Sequence, residues 1–250
     1  MASFERDGIQ IGFDVEGAGD PVLLIHGFAS TRQDNWQRTG WYGALTRARR
    51  QIVAVDLRGH GESSKLHDPA RYGSADMIGD LVGLLDHLDI KRADIVGFSM
   101  GAGLALQLGV HHDARCGSIV AIGVGGKFLE PGHFGTSVVD ALRADDPSAI
   151  SDRTAQGFRL YADQLGQDRE ALVACASAPR GRLNADDLGL IRAPTLIVAG
   201  QRDELAGDPA VLAAKIPGAK SEYVPGCDHM FALTNPMVKG VTIDFLTGWI

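Results

Sequence analysis

Cysteine is scarce in this sequence, and no two cysteines lie close together. Three of the 250 residues are cysteines, Cys116, Cys175 and Cys227. A structural zinc site or a dithiol redox motif needs closely spaced cysteines such as a C-x-x-C pair, so neither is supported. Three isolated cysteines favour a reducing compartment.

Long apolar runs are also missing. No stretch approaches the roughly 20 apolar residues that a membrane-spanning helix needs. Residues 1–7 are not followed by an apolar run, so no signal peptide is predicted. We therefore expect a soluble, cytoplasmic protein.

An excess of positive charge is absent as well. Lysine and arginine number 24 against 31 aspartates and glutamates, which gives a net charge of −7 with neutral histidines. Nucleic acids and anionic membranes bind to basic surfaces, so neither is expected as a partner. The sequence lacks the third glycine of a dinucleotide fingerprint and contains no G-x-x-x-x-G-K phosphate loop. We expect a small-molecule substrate, with no metal and no organic cofactor, and the oligomeric state stays open.

The composition itself is that of a folded protein, with 45% hydrophobic and 22% charged residues. Short apolar runs predict strands at residues 10–15, 22–25, 52–55, 94–96, 118–122, 195–199 and 221–224. Continuous runs such as Val22-Leu23-Leu24-Ile25 are typical of strands that are buried on both faces of a parallel sheet. Helical spacing separates them, for example over residues 77–88 and 236–249. This alternation predicts an α/β fold with a mostly parallel central sheet flanked by helices.

The stretch from residue 125 to residue 190 interrupts the alternation. It contains no convincing buried strand, and its pattern predicts short helices at 136–143, 149–165 and 169–176. Because about 65 residues is far longer than an ordinary crossover, we interpret it as an insertion between two strands. The predicted division is a core of residues 1–124 and 191–250, with a helical insertion of residues 125–190.

The most informative motif is Gly97-Phe98-Ser99-Met100-Gly101, which matches G-x-S-x-G. A strand-like segment precedes it and a helix-like segment follows it, which is the setting of a nucleophilic serine on a sharp turn. The residues two positions before and after the serine must be small, because larger side chains would collide with that turn. The positive end of the following helix would also stabilise an oxyanion formed near Ser99.

Two further residues complete a possible catalytic set. Asp203 follows the predicted strand 195–199 and His229 follows the strand 221–224, so both lie where α/β sheets bind their ligands. Ser99, Asp203 and His229 occur in the chain order that a serine-aspartate-histidine triad on this fold requires. The strand 22–25 ends in His26-Gly27-Phe28, and the backbone N–H groups of Phe28 and Met100 are the candidate oxyanion donors.

On these residues the chain resembles the α/β-hydrolase superfamily, in the group of small serine esterases. The resemblance covers nearly the whole chain. Its motifs are the His-Gly strand end, the segment Asp56-Leu57-Arg58-Gly59-His60-Gly61-Glu62-Ser63, the serine turn and the turns that carry Asp203 and His229. It implies a hydrolase fold in which residues 125–190 occupy the place of the cap over the site. We expect structural roles for the side chains of His26, Asp56, Arg58 and His60.

Some alternatives stay open at this point. Ala102 stands where relatives commonly have glycine, a small change at the start of the helix. Some relatives place the acid after the sixth strand, where the first carboxylate here is Glu130. Asp228 is too close to His229 along the chain to orient it.

We expect hydrolysis of small uncharged carboxylic esters through an acyl-enzyme. The alternatives are cofactor-free perhydrolysis as in haloperoxidases, C–C bond hydrolysis on the same triad, and a non-enzymatic hydrolase-fold protein that binds a small ligand. Epoxide hydrolases and haloalkane dehalogenases carry a carboxylate in place of the serine, so Ser99 argues against both.

The insertion predicts the character of the pocket. Residues 127–190 carry seven basic and ten acidic side chains, so a strongly anionic substrate is not expected. Larger apolar residues could form an apolar pocket over Ser99, although at least half of them are expected simply to pack the insertion onto the sheet. These residues are Phe128, Leu129, Phe134, Phe158, Leu160, Tyr161 and Leu165.

Overall fold

The structure, a computed structural model, describes residues 2–130, 134–179, 181 and 183–250, apart from the side chains at positions 134 and 135. Within these ranges the strands are β1 (Ala2–Arg6), β2 (Ile9–Glu16), β3 (Asp20–Ile25), β4 (Arg50–Val55), β5 (Ala93–Phe98), β6 (Cys116–Ile122), β7 (Thr195–Gly200) and β8 (Lys220–Val224). They form one sheet in the order β1-β2-β4-β3-β5-β6-β7-β8. The strands from β4 to β8 in this order are parallel, whereas β1 and β2 are antiparallel to their neighbours.

The α-helices of the described ranges are α1 (Trp41–Arg47), α2 (Ser74–His87), α3 (Met100–His111), α4 (Phe134–Arg143), α5 (Arg153–Gln164), α6 (Arg169–Ser177), α7 (Ala185–Leu188), α8 (Pro209–Ala213) and α9 (Pro236–Leu246). Short 3₁₀ turns lie at Pro69–Tyr72, Asp113–Arg115, Gly126–Leu129, Pro147–Ala149 and Ala232–Thr234, and a π-type turn lies at Gln33–Gln37. None of these helices is both long enough and apolar enough to cross a lipid bilayer.

Helices cover both faces of the sheet. Leu23 and Ile25 of β3 point to the face that α2 and α3 cover, while Val22 and Leu24 point to the face that α1 and α9 cover. All four side chains are fully buried. The continuous apolar run is therefore explained by burial on both sides. The predicted fold class, with helices flanking a mostly parallel sheet, is confirmed.

The first strand is absent from the sequence-based prediction. In β1, Phe4 is buried and pairs with Ile11 of β2, whereas its neighbours Ser3 and Glu5 are exposed. One buried side chain in five residues is too weak a pattern to predict a strand. The strand forms because β2 offers it an antiparallel edge.

Residues 125–190, between β6 and β7, contain α4, α5, α6 and α7 over their described part. The helix predicted at 149–165 begins later, at Arg153, because Asp152 caps it through hydrogen bonds from the N–H groups of Thr154 (2.9 Å) and Ala155 (3.1 Å). We call residues 125–190 the helical segment. Phe158 and Leu172 from it pack with Phe28 of the loop that follows β3, so the helical segment lies against that loop.

Candidate active site

Ser99 lies on a sharp turn between β5 and α3. Its backbone angles are φ 52° and ψ −112°, a conformation that residues with a side chain rarely adopt. A Cβ atom at Gly97 would lie 2.2 Å from the carbonyl oxygen of Gly101, and one at Gly101 would lie 2.2 Å from that of Ile25. Close backbone contacts on both sides of Ser99 therefore require the two glycines of the motif.

This turn brings the Ser99 hydroxyl next to His229, and His229 next to Asp203. Ser99 Oγ lies 3.0 Å from His229 Nε2. On the other side of the ring, His229 Nδ1 lies 2.8 Å from Asp203 Oδ2. Ser99 follows β5, Asp203 follows β7 and His229 follows β8, and the carboxyl ends of these parallel strands meet at one edge of the sheet. The three side chains form one continuous chain of hydrogen bonds.

The Asp203 carboxylate is held from two directions. Its Oδ1 accepts hydrogen bonds from the N–H groups of Leu205 (3.1 Å) and Ala206 (2.9 Å), which leaves Oδ2 for His229. Because a carboxylate can only accept, Nδ1 of His229 carries the hydrogen of this contact. Nε2 of the neutral ring then presents a lone pair to the Ser99 hydroxyl.

Gly200, at the end of β7, lets the Asp203 and His229 loops come together. A Cβ atom at Gly200 would lie 2.1 Å from the carbonyl oxygen of Cys227, and the Arg202 N–H donates to that same oxygen at 2.8 Å. Only glycine permits this approach, which sets the spacing between Asp203 and His229.

The loop after β3 is fixed by polar contacts at its base. The Leu57 N–H donates to His26 Nε2 at 2.9 Å, so His26 Nδ1 donates to the carbonyl oxygen of Gly27 at 2.7 Å. Burial lowers the pKa of His26, which keeps the ring neutral and compatible with both contacts. The Gly27 N–H donates to Asn35 Oδ1 at 2.8 Å. His26 therefore joins the loops after β3 and β4, in agreement with a structural role.

The candidate oxyanion donors border the site. Phe28 and Met100 line the same cavity as Ser99 and His229. Met100 is the first residue of α3, so its N–H has no acceptor within the helix. The geometry thus places both residues beside Ser99.

Two cavities meet at Ser99 and His229. The larger has a volume of about 610 Å³ and extends between α3 and the helical segment. The smaller, of about 120 Å³, lies on the side of Asn35, Tyr161 and Met230. Phe28 borders both cavities, and Ser99 and His229 lie between the larger one and the smaller one.

The apolar residues predicted to line the pocket divide between different environments. Phe128 lines the larger cavity, whereas Phe158 and Tyr161 line the smaller one. Leu160 is 51% exposed on the surface. The side chain of Phe134 lies outside the described residues. The larger cavity is also less apolar than expected, since Lys127, Glu130, Asp152 and Glu204 belong to its wall.

The other candidate acids do not occupy the position of Asp203. Glu130 lines the larger cavity, but the carboxylate that His229 Nδ1 contacts is that of Asp203. Asp228 Oδ1 accepts from the Phe231 N–H at 3.0 Å and so stabilises its own turn.

The segment after β4 makes structural contacts. The Arg58 guanidinium donates to both oxygens of the Asp80 carboxylate on α2, at 2.6 and 2.8 Å. Asp56 accepts from the N–H groups of Arg32 and Glu62, both at 2.8 Å, and also pairs with the Arg32 guanidinium. His60 is fully buried beneath Phe28, with ring centroids 5.8 Å apart. These contacts hold the loops around the site.

Several residues of the site are absent from the sequence-based prediction. Asn35 orients the His26-Gly27-Phe28 loop, and Gly123 leaves room for the histidine, since a Cβ atom there would lie 3.1 Å from His229 Cε1. Gln107 of α3 lines the larger cavity. The G-x-S-x-G motif and helical spacing could have directed attention to Gln107, two turns along the same face. Within the described ranges, no group of three or more histidine, cysteine, aspartate or glutamate side chains could hold a metal ion.

Comparison with known proteins agrees with this architecture. Residues 20–168 match the model of the α/β-hydrolase fold family, which covers more than half of the chain. The chain therefore belongs to the α/β-hydrolase fold family, as the resemblance in the sequence predicted.

Individual relatives are named for different activities, so they share the fold but not one reaction. The chain is 31% identical to a dihydrolipoyllysine-residue acetyltransferase component of an acetoin cleaving system from Pseudomonas putida; the match covers 87% of this chain but only 61% of that protein. It is 30% identical to a 2-hydroxy-6-oxo-2,4-heptadienoate hydrolase from Pseudomonas putida, over 79% of this chain and 77% of the relative. Among solved structures, an enol-lactonase from Burkholderia xenovorans superposes with a TM-score of 0.81 at 22% identity, over 98% of this chain and 100% of the other, which shows the shared fold.

Proposed function

We propose that this protein is a serine hydrolase that cleaves small, uncharged carboxylic esters. The observation that carries the proposal is the chain of hydrogen bonds from Ser99 Oγ through His229 to Asp203, with distances of 3.0 and 2.8 Å. A serine hydroxyl becomes a nucleophile when a neighbouring base can take its proton, and the base works when a third group orients it.

The proposed reaction has two halves. Ser99 Oγ attacks the ester carbonyl while its proton passes to His229 Nε2, and Asp203 stabilises the imidazolium that forms. The tetrahedral intermediate then collapses, the alcohol leaves with that proton, and an acyl-enzyme remains on Ser99. A water molecule attacks the acyl group in the same way, with His229 as base, and the carboxylic acid is released.

The backbone N–H groups of Phe28 and Met100 are the proposed oxyanion donors. Both residues border Ser99, and the Met100 N–H points from the positive end of α3. Loss of one such donor costs roughly 3 kcal/mol of transition-state stabilisation in other hydrolases.

The substrate class follows from the size and charge of the larger cavity. A volume of about 610 Å³ is within the range of ordinary small-molecule pockets and is too small for a long lipid chain together with its headgroup. Three carboxylates and one lysine belong to its wall, so an anionic substrate is disfavoured. In this proposal the helical segment acts as the cap that closes the site.

The first experiment compares the wild type with Ser99→Ala on p-nitrophenyl esters of increasing acyl length. We expect kcat/KM to rise by up to roughly fourfold per methylene, to pass a maximum at short or medium length, and then to fall. Ser99→Ala should lose activity by at least about a thousandfold while its unfolding midpoint stays close to that of the wild type. The control is Ser118→Ala on β6, a serine that hydrogen-bonds Asp94, away from the site; it should keep wild-type rates. A folded Ser99→Ala protein with a tenth of the wild-type rate would remove Ser99 from the nucleophile role, and an optimum at long chains would contradict the substrate class.

A second candidate function is hydrolysis of a C–C bond next to a ketone. It is favoured by the 30% identity to a 2-hydroxy-6-oxo-2,4-heptadienoate hydrolase. Product analysis with a diketone substrate separates the two: acid and ketone products without turnover of any ester would favour this candidate. Turnover only with added peroxide would point to perhydrolysis, and binding without any turnover would point to a ligand-binding protein.

A further inference from the structure

One face of α3 forms a wall of the larger cavity, beginning at the turn that carries Ser99. Met100, Gly103, Leu104 and Gln107 all line this cavity. These positions are spaced by three, four and seven residues from Met100, so they form a single stripe along the helix. The stripe begins beside Ser99 and ends at Gln107, whose side chain is an amide in a row of small or apolar residues.

Gln107 is buried in an unusual way. Its side chain is only 8% exposed, and it lines the cavity. Among the described residues, no hydrogen-bond partner is found for the Gln107 amide, and its polar atoms are not among the fully buried side-chain atoms that lack a partner, so they are accessible from the cavity. An amide that faces a cavity can exchange hydrogen bonds with water for hydrogen bonds with a bound molecule, which an apolar residue of similar size could not do. The amide is therefore available to a molecule that occupies the cavity.

The surroundings of Gln107 indicate what kind of group it can bind. Leu104, Phe128, Val138 and Leu183 give the cavity apolar walls that suit a hydrocarbon chain. The charged residues of the wall are three carboxylates and Lys127, whose ammonium donates to the backbone carbonyl oxygen of Glu204 at 2.5 Å. An anionic group is therefore disfavoured, whereas an amide pairs equally well with neutral donors and acceptors.

The position of Gln107 sets the length of the substrate. Met100 and Gln107 are about 11 Å apart along the helix axis, at 1.5 Å per residue. Helical side chains lean back toward the amino end, so the amide lies nearer to Ser99 along the axis than the backbone of Gln107 does. Gly103 lies one turn before Gln107 and has no side chain. A Cβ atom at Gly103 would lie 3.2 Å from the Phe128 ring. The Phe128 ring therefore packs over the stripe at Gly103, between Ser99 and the amide.

We infer that Gln107 is a specificity-determining residue that binds an uncharged hydroxyl or carbonyl group near the far end of the acyl chain. This inference rests on the proposed function, because an ester carbonyl at Ser99 fixes the start of the chain. The substrate class is then narrower than simple esters: it comprises esters of acids with a second, neutral oxygen-bearing group on about the sixth to eighth carbon of the acyl chain, counting the carbonyl carbon as the first.

The test uses pairs of methyl esters, whose small alcohol leaves the larger cavity to the acyl chain. Each pair compares an ω-hydroxy ester with an unsubstituted ester of equal length in heavy atoms: ω-hydroxyhexanoate with heptanoate, ω-hydroxyheptanoate with octanoate, and ω-hydroxyoctanoate with nonanoate. Acid release gives kcat/KM for the wild type and for Gln107→Leu. We expect the hydroxy-to-unsubstituted ratio of at least one pair to fall by about tenfold or more in Gln107→Leu, chiefly because the unsubstituted ester gains.

Two controls separate this effect from a change in folding. Gln164→Leu makes the same substitution at an exposed residue at the end of α5, outside both cavities, and should leave the ratio unchanged. Gln107→Met, also apolar and of similar size, replaces Gln107→Leu if that variant does not fold. A ratio within twofold of the wild type in the folded Gln107 variant, for every pair, would overturn the inference.

Binding to the Ser99→Ala protein separates the inference from the proposed function. Equilibrium dialysis of the same esters, with and without the Gln107 substitution, measures their preference without turnover. If the wild type cleaves no ester but the Ser99→Ala protein prefers the hydroxy ester in a Gln107-dependent way, the esterase proposal is wrong and the role of Gln107 in binding a neutral oxygen group stands. Ester cleavage without any Gln107-dependent preference in turnover or binding refutes the inference and leaves the esterase proposal in place.

Discussion

The two oxygens of the Asp203 carboxylate have separate tasks. Oδ1 is held by the N–H groups of Leu205 and Ala206, and only Oδ2 faces His229. The two backbone N–H donors therefore orient the carboxylate independently of its contact with the imidazole. An asparagine at this position could satisfy the two N–H donors only by placing its carbonyl oxygen at the position of Oδ1.

The first prediction concerns Asp203→Asn. The NH₂ group of the asparagine must then face His229 Nδ1 and donate to it. The ring hydrogen therefore moves to Nε2, which removes the lone pair that would accept the Ser99 proton. We expect kcat to fall by about 10⁴-fold, with little change in substrate binding. Steady-state kinetics on the best ester of the panel measure this. The matched control is Glu130→Gln, which should remain active; a mild Asp203→Asn together with a severe Glu130→Gln would reassign the acid.

At the scale of elements, the site depends on how closely α3 approaches β3. A Cβ atom at Gly101 would lie 2.2 Å from the Ile25 carbonyl oxygen and 2.6 Å from that of His26. Both are backbone atoms of the strand end and its loop, and they cannot rotate away as a side chain could. The distance between the helix and the strand therefore fixes Ser99 relative to the His26-Gly27-Phe28 loop.

The second prediction is that Gly101→Ala both destabilises and inactivates the protein. The added methyl group forces α3 away from β3, so we expect a loss of roughly 2–4 kcal/mol in the free energy of unfolding. The displaced Ser99 should also lose most of its ester turnover. Urea unfolding and p-nitrophenyl ester assays measure the two effects.

Gly240→Ala is the matched control for this substitution. Gly240 is exposed on α9, and a Cβ atom there meets nothing within 4 Å. Because alanine favours a helix more than glycine does, this variant should keep its activity and gain about 0.5–1 kcal/mol. Wild-type stability and activity in Gly101→Ala would show that the helix and strand can separate without consequence.

For the whole molecule, the buried His26 couples the stability of the fold to pH. His26 is completely buried, and its neutral ring bridges the loops after β3 and β4. Burial lowers the pKa of His26 below the ordinary value of 6.5, mainly because the charged ring would lose its hydration. In the unfolded chain the same ring takes up a proton near that ordinary value. The stability due to His26 is therefore fully present above pH 6.5 and is lost as the pH falls toward the folded-state pKa.

The third prediction is that the free energy of unfolding decreases as the pH falls below about 6.5, and that His26→Gln reduces this dependence. Glutamine can accept the Leu57 N–H but does not titrate. Urea unfolding from pH 5 to pH 8 measures both slopes. His67→Gln is the control. His67 is half-exposed next to Asp168 and Glu170, and its pKa is raised, so its effect on the stability changes with pH in the opposite direction. An equally steep acid loss in the His26→Gln protein would contradict the prediction.

The sequence by itself determined the class of fold and the residues of the hydrogen-bonded chain. Apolar runs such as Val22-Leu23-Leu24-Ile25 predict strands with both faces covered, because burial on two sides leaves no place for polar residues. The glycines around Ser99 predict the turn, since close backbone contacts leave a local mark in the sequence. Chain order then sufficed to place Asp203 and His229 after their strands.

Only the tertiary structure decided the details that depend on contacts between distant segments. β1 forms because β2 offers an edge, and its own pattern is too weak to predict it. The Gly27 N–H donates to Asn35 and the Arg58 guanidinium donates to Asp80, and both acceptors look like ordinary polar residues in the sequence. Gln107 looks like any polar residue of a helix, and its burial against a cavity depends on how the helical segment packs over α3. Periodicity and turn chemistry are written locally along the chain, whereas the shape and polarity of a cavity arise only when separate elements pack together.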